Sequence, residues 1–109
     1  MNFAKYCGFY YLGIDVDQKM SFKFKDEIFK YELLHILEFN STRKRMSVIL
    51  KDSEGKILLL TKGADSIIYA RCGKQNSKEE LEETKKHLYA YASKGLRTLV
   101  IAKREVDTE

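Results

Sequence analysis

The chain has 109 residues, 44% of them hydrophobic and 33% charged, with a net charge of +4 and a pI near 9.0. That is enough chain to bury a core, and the composition is ordinary for a globular domain rather than a low-complexity or repeat-built one. No stretch reaches the roughly 20 apolar residues a membrane-spanning helix needs, and the positive charge favours anionic partners without choosing among nucleotides, nucleic acid and acidic lipid headgroups.

Residues 1–11 carry no apolar core of the signal-peptide kind. Cys7 and Cys72 stand apart, with no Cys-x-x-Cys spacing and no neighbouring His, so they read as reduced thiols rather than a disulfide framework or metal site. Proline is absent, and no Gly/Ser-rich linker or internal repeat interrupts the chain. One domain over residues 1–109 is therefore expected.

In chain order, residues 2–7 read as the end of a helix, stopped by Gly8. Residues 9–14 are aromatic-rich and read as a strand, and 15–17 as a turn. Over residues 20–25, Phe22 and Phe24 alternate with Ser21, Lys23 and Lys25, the pattern of a half-buried strand. Residues 29–39 read as a long central strand, with a helix as the alternative. Phe29, Tyr31, Leu33, His35, Leu37 and Phe39 share one face. Leu34 and Ile36 on the other predict cover on both sides, and His35 reads as a hydrogen-bonded core residue. A polar loop over 40–44 leads to a strand at 45–51. Asp52-Ser53-Glu54-Gly55 is a hairpin turn, and 56–61 is its returning strand. A short helix is expected over 64–71. The clearest helix runs over 78–93, with Ser77 as N-cap, Glu80 completing an S-x-x-E box, and Leu81, Leu88, Tyr91 and Ala92 as its apolar stripe. Gly95 ends it, and 97–103 is a last strand. The expected class is α/β in the loose sense, more strictly α+β: a mostly antiparallel sheet of about six strands with helices packed on it.

Three segments carry a resemblance: Glu38-Phe39-Asn40-Ser41-Thr42-Arg43-Lys44-Arg45-Met46-Ser47-Val48, then Lys62-Gly63-Ala64-Asp65, then Lys94-Gly95-Leu96-Arg97-Thr98-Leu99. In that order they resemble the nucleotide-binding domain of P-type ATPases. Lys-Gly-Ala followed by Asp, rather than Pro, looks like the phospholipid flippases (the P4-type), and the His-Pro motif of heavy-metal pumps is absent. Lys5-Tyr6-Cys7-Gly8-Phe9 also looks like the family's run before its first strand. There is no Asp-Lys-Thr-Gly phosphorylation motif, so the resemblance implies a piece of a larger enzyme with no turnover of its own. It also implies that the chain begins just past an acidic pair that helps line the adenine site.

Binding ATP needs a flat surface for adenine and cations or N–H donors for the phosphates. Phe39, at the end of its strand, can offer a ring face worth about 1–3 kcal/mol in stacking; by pattern alone it reads as a core Phe, and it is the resemblance that matches it to the adenine-stacking position. Lys62 has an apolar stem and a cationic head, and read without the family is a solvated lysine. Gly63 allows close approach to the backbone. Arg97 can grip phosphate in a bidentate way or make a surface ion pair; the resemblance matches it to the phosphate-contacting arginine. Met46 and Ser47 line the pocket by resemblance, or simply pack the strand. Asn40 and Ser41 are polar neighbours for the base, and Glu38 an acceptor for the adenine amino group or a solvated carboxylate. The basic run Arg43-Lys44-Arg45 reads as a solvated loop, as charge attraction for ATP, or as a contact for the phosphorylation domain. No Walker-type loop is present, and no catalytic or metal-binding residue is expected.

The resemblance implies ATP binding on the cytoplasmic face of a membrane, in one domain of a multi-pass phospholipid-translocating ATPase. ATP would be the ligand, with Mg²⁺ acting in the full-length protein. The phosphorylation and actuator domains of the same chain, and an accessory subunit, are the implied partners. A monomer without nucleic acid or direct membrane insertion is expected. The alternative is a small basic domain for single-stranded nucleic acid, suggested by aromatic strands rich in Lys and Arg and by Tyr6, Phe9, Tyr10, Tyr11, Phe22 and Phe24.

Overall fold

The computed structural model describes residues 2–73 and 76–106. The elements are α1 (Asn2–Tyr6), β1 (Phe9–Ile14), β2 (Lys19–Phe24), β3 (Glu27–Leu37), β4 (Arg45–Lys51), β5 (Ile57–Gly63), α2 (Asp65–Tyr69), α3 (Lys78–Ser93) and β6 (Val100–Val106). Among the described residues the strands form one six-stranded sheet in sequential order. The pairs β1–β2, β2–β3 and β3–β4 are antiparallel. The α+β reading, a mostly antiparallel six-stranded sheet accompanied by helices, is what the chain adopts.

Contacts divide the chain into two compact units. The first comprises Met1–Leu37, Ser47–Leu60 and Lys103–Glu109, the second Glu38–Met46 and Thr61–Ala102.

The first unit is built on tight hairpins. Its β1–β2 turn is organised by Asp15, whose carboxylate accepts from the amides of Asp17 at 2.9 Å and Lys19 at 3.0 Å. The β4–β5 turn repeats the device: Asp52 accepts from the amides of Glu54 at 2.9 Å and Lys56 at 2.8 Å. These side chains satisfy turn amides that the strands leave unpaired. At the β2–β3 hairpin, Phe24 faces Glu27 across only Lys25 and Asp26. Both turn residues have positive φ, 50° and 66°, the requirement of a type I′ turn. The resulting register stacks rings on one face: Phe9 on Phe24 with centroids 4.2 Å apart, Phe22 on Phe29 at 5.1 Å, and Phe22 on Tyr31 at 5.7 Å.

The second unit packs around Ile68 of α2, which is only 2% exposed. Gly63, at the end of β5, is buried and closely enclosed. A Cβ there would meet the Lys44 carbonyl oxygen at 3.2 Å, the Arg45 Cβ at 3.2 Å and the Ile68 Cδ1 at 3.3 Å. Lys85 of α3 lies over the Tyr69 ring of α2, 5.3 Å from its centroid, a cation–π contact within the unit. The Ser77 hydroxyl caps α3 by accepting from the Glu80 amide at 3.0 Å, and Gly95 follows the helix with φ of 77°.

Several boundaries differ from the sequence reading. The central strand pairs only as far as Leu37, opposite Ser47, so Phe39 lies in the segment beyond it rather than at its end. A bulge between Leu33 and His35 breaks the period-two pattern. His35 is exposed instead of buried, and Leu34 and Ile36 remain 42% and 41% exposed rather than covered. In α3, Leu81 and Leu88 are half-buried, but Tyr91 and Ala92 are exposed. The last strand begins at Val100, three residues later than its composition suggests.

Candidate functional site

Four short segments of the second unit converge on an open hollow of about 680 Å³. Its lining is Phe39 and Ser41 from the loop after β3, Lys44 and Met46 around the start of β4, Lys62 and Gly63 at the end of β5 with Ala64, and Leu99 ahead of β6. The volume falls in the range of small-molecule sites, about 300–1,000 Å³, and the wall is mainly apolar with two lysines at hand, the usual balance of such pockets.

The loop that presents Phe39 is held by its own polar groups. The Asn40 side-chain oxygen accepts from the amides of Thr42 at 3.0 Å and Arg43 at 2.7 Å. The Asn40 carbonyl accepts from the Lys44 amide at 2.8 Å. The Arg43 guanidinium donates to the Glu38 carbonyl at 2.9 Å and closes the loop from the other side. Lys44 ends it with φ of 55°, a left-handed conformation disfavoured for a side chain of this size. Its carbonyl is lodged in the space that Gly63 leaves open. With the loop fixed, Phe39 is left 64% exposed. A large aromatic standing out over an apolar hollow is a costly arrangement for packing and a useful one for stacking a flat ligand.

Five residues singled out from sequence therefore come together here: Phe39, Ser41, Met46, Lys62 and Gly63. Four do not line the hollow. Asn40 shapes the loop through the bonds just described, and Glu38 contributes the carbonyl that receives Arg43. Ser47 is buried, 3% exposed, in the part of β4 that belongs to the first unit. Arg97 is exposed in the segment before β6, two residues ahead of the lining Leu99. Gly63 was read as leaving space for a ligand; the geometry adds that the chain's own Lys44 carbonyl approaches there. Ala64 and Leu99 were not selected, and Lys44 only as part of the basic run Arg43-Lys44-Arg45, although each lies inside one of the three motif segments. What marks them is the folding of those segments onto one another, which no single segment displays.

The electrostatics suit an anion. The second unit carries eleven Lys and Arg against six Asp and Glu, the first unit nine against ten. Among the described residues no group of His, Cys, Asp and Glu is arranged to hold a metal. No helix there is long and apolar enough to cross a membrane.

Residues 14–109 match the family model described as P-type ATPase, cytoplasmic domain N. The chain belongs to that family. Among the relatives it matches are phospholipid-transporting ATPase 10 of Arabidopsis thaliana, 57% identical over 77 residues, and probable phospholipid-transporting ATPase 11 of the same plant, 56% identical over 77 residues. Each match covers 71% of this chain and 6% of the relative. Phospholipid-transporting ATPase DNF1 of Chaetomium thermophilum is 43% identical over 106 residues, 97% of this chain and 7% of that protein. The domain-N resemblance read from the three motif segments, with its phospholipid-flippase signature, is thereby borne out. The chain spans well under a tenth of the length of these relatives.

Proposed function

We propose that the second unit binds the adenosine of ATP, with Phe39 as the stacking surface and Lys62 and Lys44 as the nearest cations, in a phospholipid-translocating P-type ATPase. The observation that carries this is the exposed Phe39 ring over an apolar hollow with lysines on its margin. Arg97 is the further cation of the unit, reaching the phosphates once a nucleotide is seated. Residues 1–109 act as one nucleotide-binding segment, and the γ-phosphate is handed to an aspartate on a phosphorylation domain of the same chain. Mg²⁺ would sit at that transfer site. An actuator domain, and an accessory subunit where the full protein uses one, complete the set of partners at the cytoplasmic face of the membrane.

The chain carries no Asp-Lys-Thr-Gly phosphorylation motif, and on this reading the segment binds nucleotide without turning it over. Affinity near the millimolar level, about −4 kcal/mol, is expected of an open hollow that encloses only part of its ligand. The single-stranded nucleic-acid reading is less well supported. The Phe9, Phe22, Phe24, Phe29 and Tyr31 rings stack on each other, which occupies the faces that bases would use.

Competition tests the proposal. ATP bound to the chain should be displaced by ADP and adenosine but not by an oligonucleotide at equal phosphate concentration. Displacement by the oligonucleotide alone would overturn it.

A further inference from the structure

The two common purines differ along one edge. Adenine presents an amino donor where guanine presents a carbonyl acceptor, while N7 accepts in both. A site that chooses between them needs a group fixed against that edge which only accepts or only donates.

The hollow of the second unit offers little of this kind. Phe39, Ala64 and Leu99 carry no hydrogen-bonding side-chain group, Gly63 has no side chain, and Met46 brings only a weakly accepting sulfur. Among the described residues no carboxylate lines the hollow, and Glu38, the acceptor expected for the adenine amino group, stands outside it. The polar groups beside the hollow are spent on the chain itself. The Asn40 side-chain oxygen is taken by the amides of Thr42 and Arg43 at 3.0 and 2.7 Å, and the Asn40 carbonyl by the Lys44 amide at 2.8 Å. The carbonyls of Glu38 and Arg43 accept from the guanidiniums of Arg43 at 2.9 Å and Arg45 at 2.8 Å. The Ala64 carbonyl accepts from the amides of Ile67 and Ile68, each at 3.1 Å. The Lys44 carbonyl is packed against Gly63.

Three polar side chains remain on the wall: Ser41, Lys44 and Lys62. The ammonium groups donate from long flexible stems to N7 of either purine or to phosphate, and so fix no edge. The Ser41 hydroxyl turns to accept from the adenine amino group or to donate to the guanine carbonyl. What is left to hold the base is the exposed face of Phe39, and stacking on an aromatic ring tolerates any base with a broad enough face.

We propose that the hollow takes purine nucleotides as a class and does not choose adenine over guanine. The inference rests on the nucleotide reading of the hollow and adds to it the breadth of the ligand. A site with dedicated groups rejects an analogue lacking the matching one by about 10⁴–10⁵-fold; a ring face with one hydroxyl beside it should separate the two purines by about threefold at most.

The test titrates the labelled 109-residue chain with AMP, GMP and CMP at constant pH and ionic strength, following backbone amides by NMR. The phosphate and ribose are common to all three, so the differences report the base. AMP and GMP should saturate the shifts at Phe39, Ser41 and residues 62–64 with dissociation constants within about threefold of each other, and CMP, with one ring to stack, should bind about fivefold more weakly. Ser41→Ala should weaken AMP and GMP by the same factor, with the amide spectrum confirming its fold. A preference of tenfold or more for either purine would overturn the inference and leave the nucleotide reading standing, as would a Ser41→Ala variant that changes the ratio of the two. CMP binding as tightly as AMP would overturn stacking as the source of selection. Absence of saturable shifts with all three would overturn the nucleotide reading, and this inference with it.

Discussion

The two units solve opposite problems with similar amounts of chain. The first folds by local rules: short turns, ring stacks along one face and nearly balanced charge. The second gathers segments distant in sequence around one buried isoleucine and one glycine contact, and it concentrates positive charge. Order in the first comes from neighbours; the hollow in the second exists only after long-range closure. Ligand sites commonly belong to the latter kind: the convergent segments enclose about 680 Å³, against about 330 Å³ for the hollow on the β1–β3 hairpins.

The sharpest way to break the comparison is Ile68→Ala. Removing the most buried side chain of the second unit should cost about 2–5 kcal/mol. Hydrogen exchange should then accelerate at the amides of α2 and β5's end more than in the β1–β2 hairpin. Equal acceleration in both units would mean that they unfold as one.

Phe39→Ala should act on affinity rather than stability. The ring is 64% exposed, so the denaturation midpoint should barely move, while ATP affinity falls by the worth of one stacked base, about 1–3 kcal/mol. Calorimetric titration of both forms checks it.

Tyr69→Phe is subtler. The Tyr69 hydroxyl is buried and, among the described residues, makes no hydrogen bond. Burial, then the charges of Asp65 and Cys72, raise its pKa above the ordinary value. With the folded pKa above the unfolded one near 10, the stability linked to neutral Tyr69 is fully present below pH 10. It is lost as pH rises through the folded value. The phenylalanine variant should be more stable by about 1 kcal/mol at neutral pH and should lose less stability in urea melts as the pH is raised above the ordinary tyrosine value.

The smallest effect belongs to the first unit. Replacing Lys25 and Asp26 together by Asn-Gly relieves two positive φ values and should raise stability by roughly 0.5–1 kcal/mol, leaving ATP affinity unchanged.

Much of the first unit was legible because its signals are local. The alternation around Phe22, the Asp52–Gly55 turn and the capping of α3 by Ser77 each fit within a few residues, although the capped helix belongs to the second unit. The Lys25-Asp26 turn escaped because it uses no glycine. His35 was misplaced because a bulge, which leaves no mark in composition, sits just before it. In the site, the motif resemblance pointed to Phe39, Lys62 and Gly63. It did not reveal that Asn40 works through the loop amides, or that Lys44, Ala64 and Leu99 share the wall. Those facts depend on which segments meet, a property of the closed chain.

The most direct test maps adenosine onto the backbone amides of the chain. The account predicts saturable shifts at Phe39, Ser41, Met46, residues 62–64 and Leu99, with β1 and β2 silent. Shifts that instead followed Phe9, Phe22, Phe24 and Phe29 would contradict it, placing base stacking on the aromatic face of the first unit.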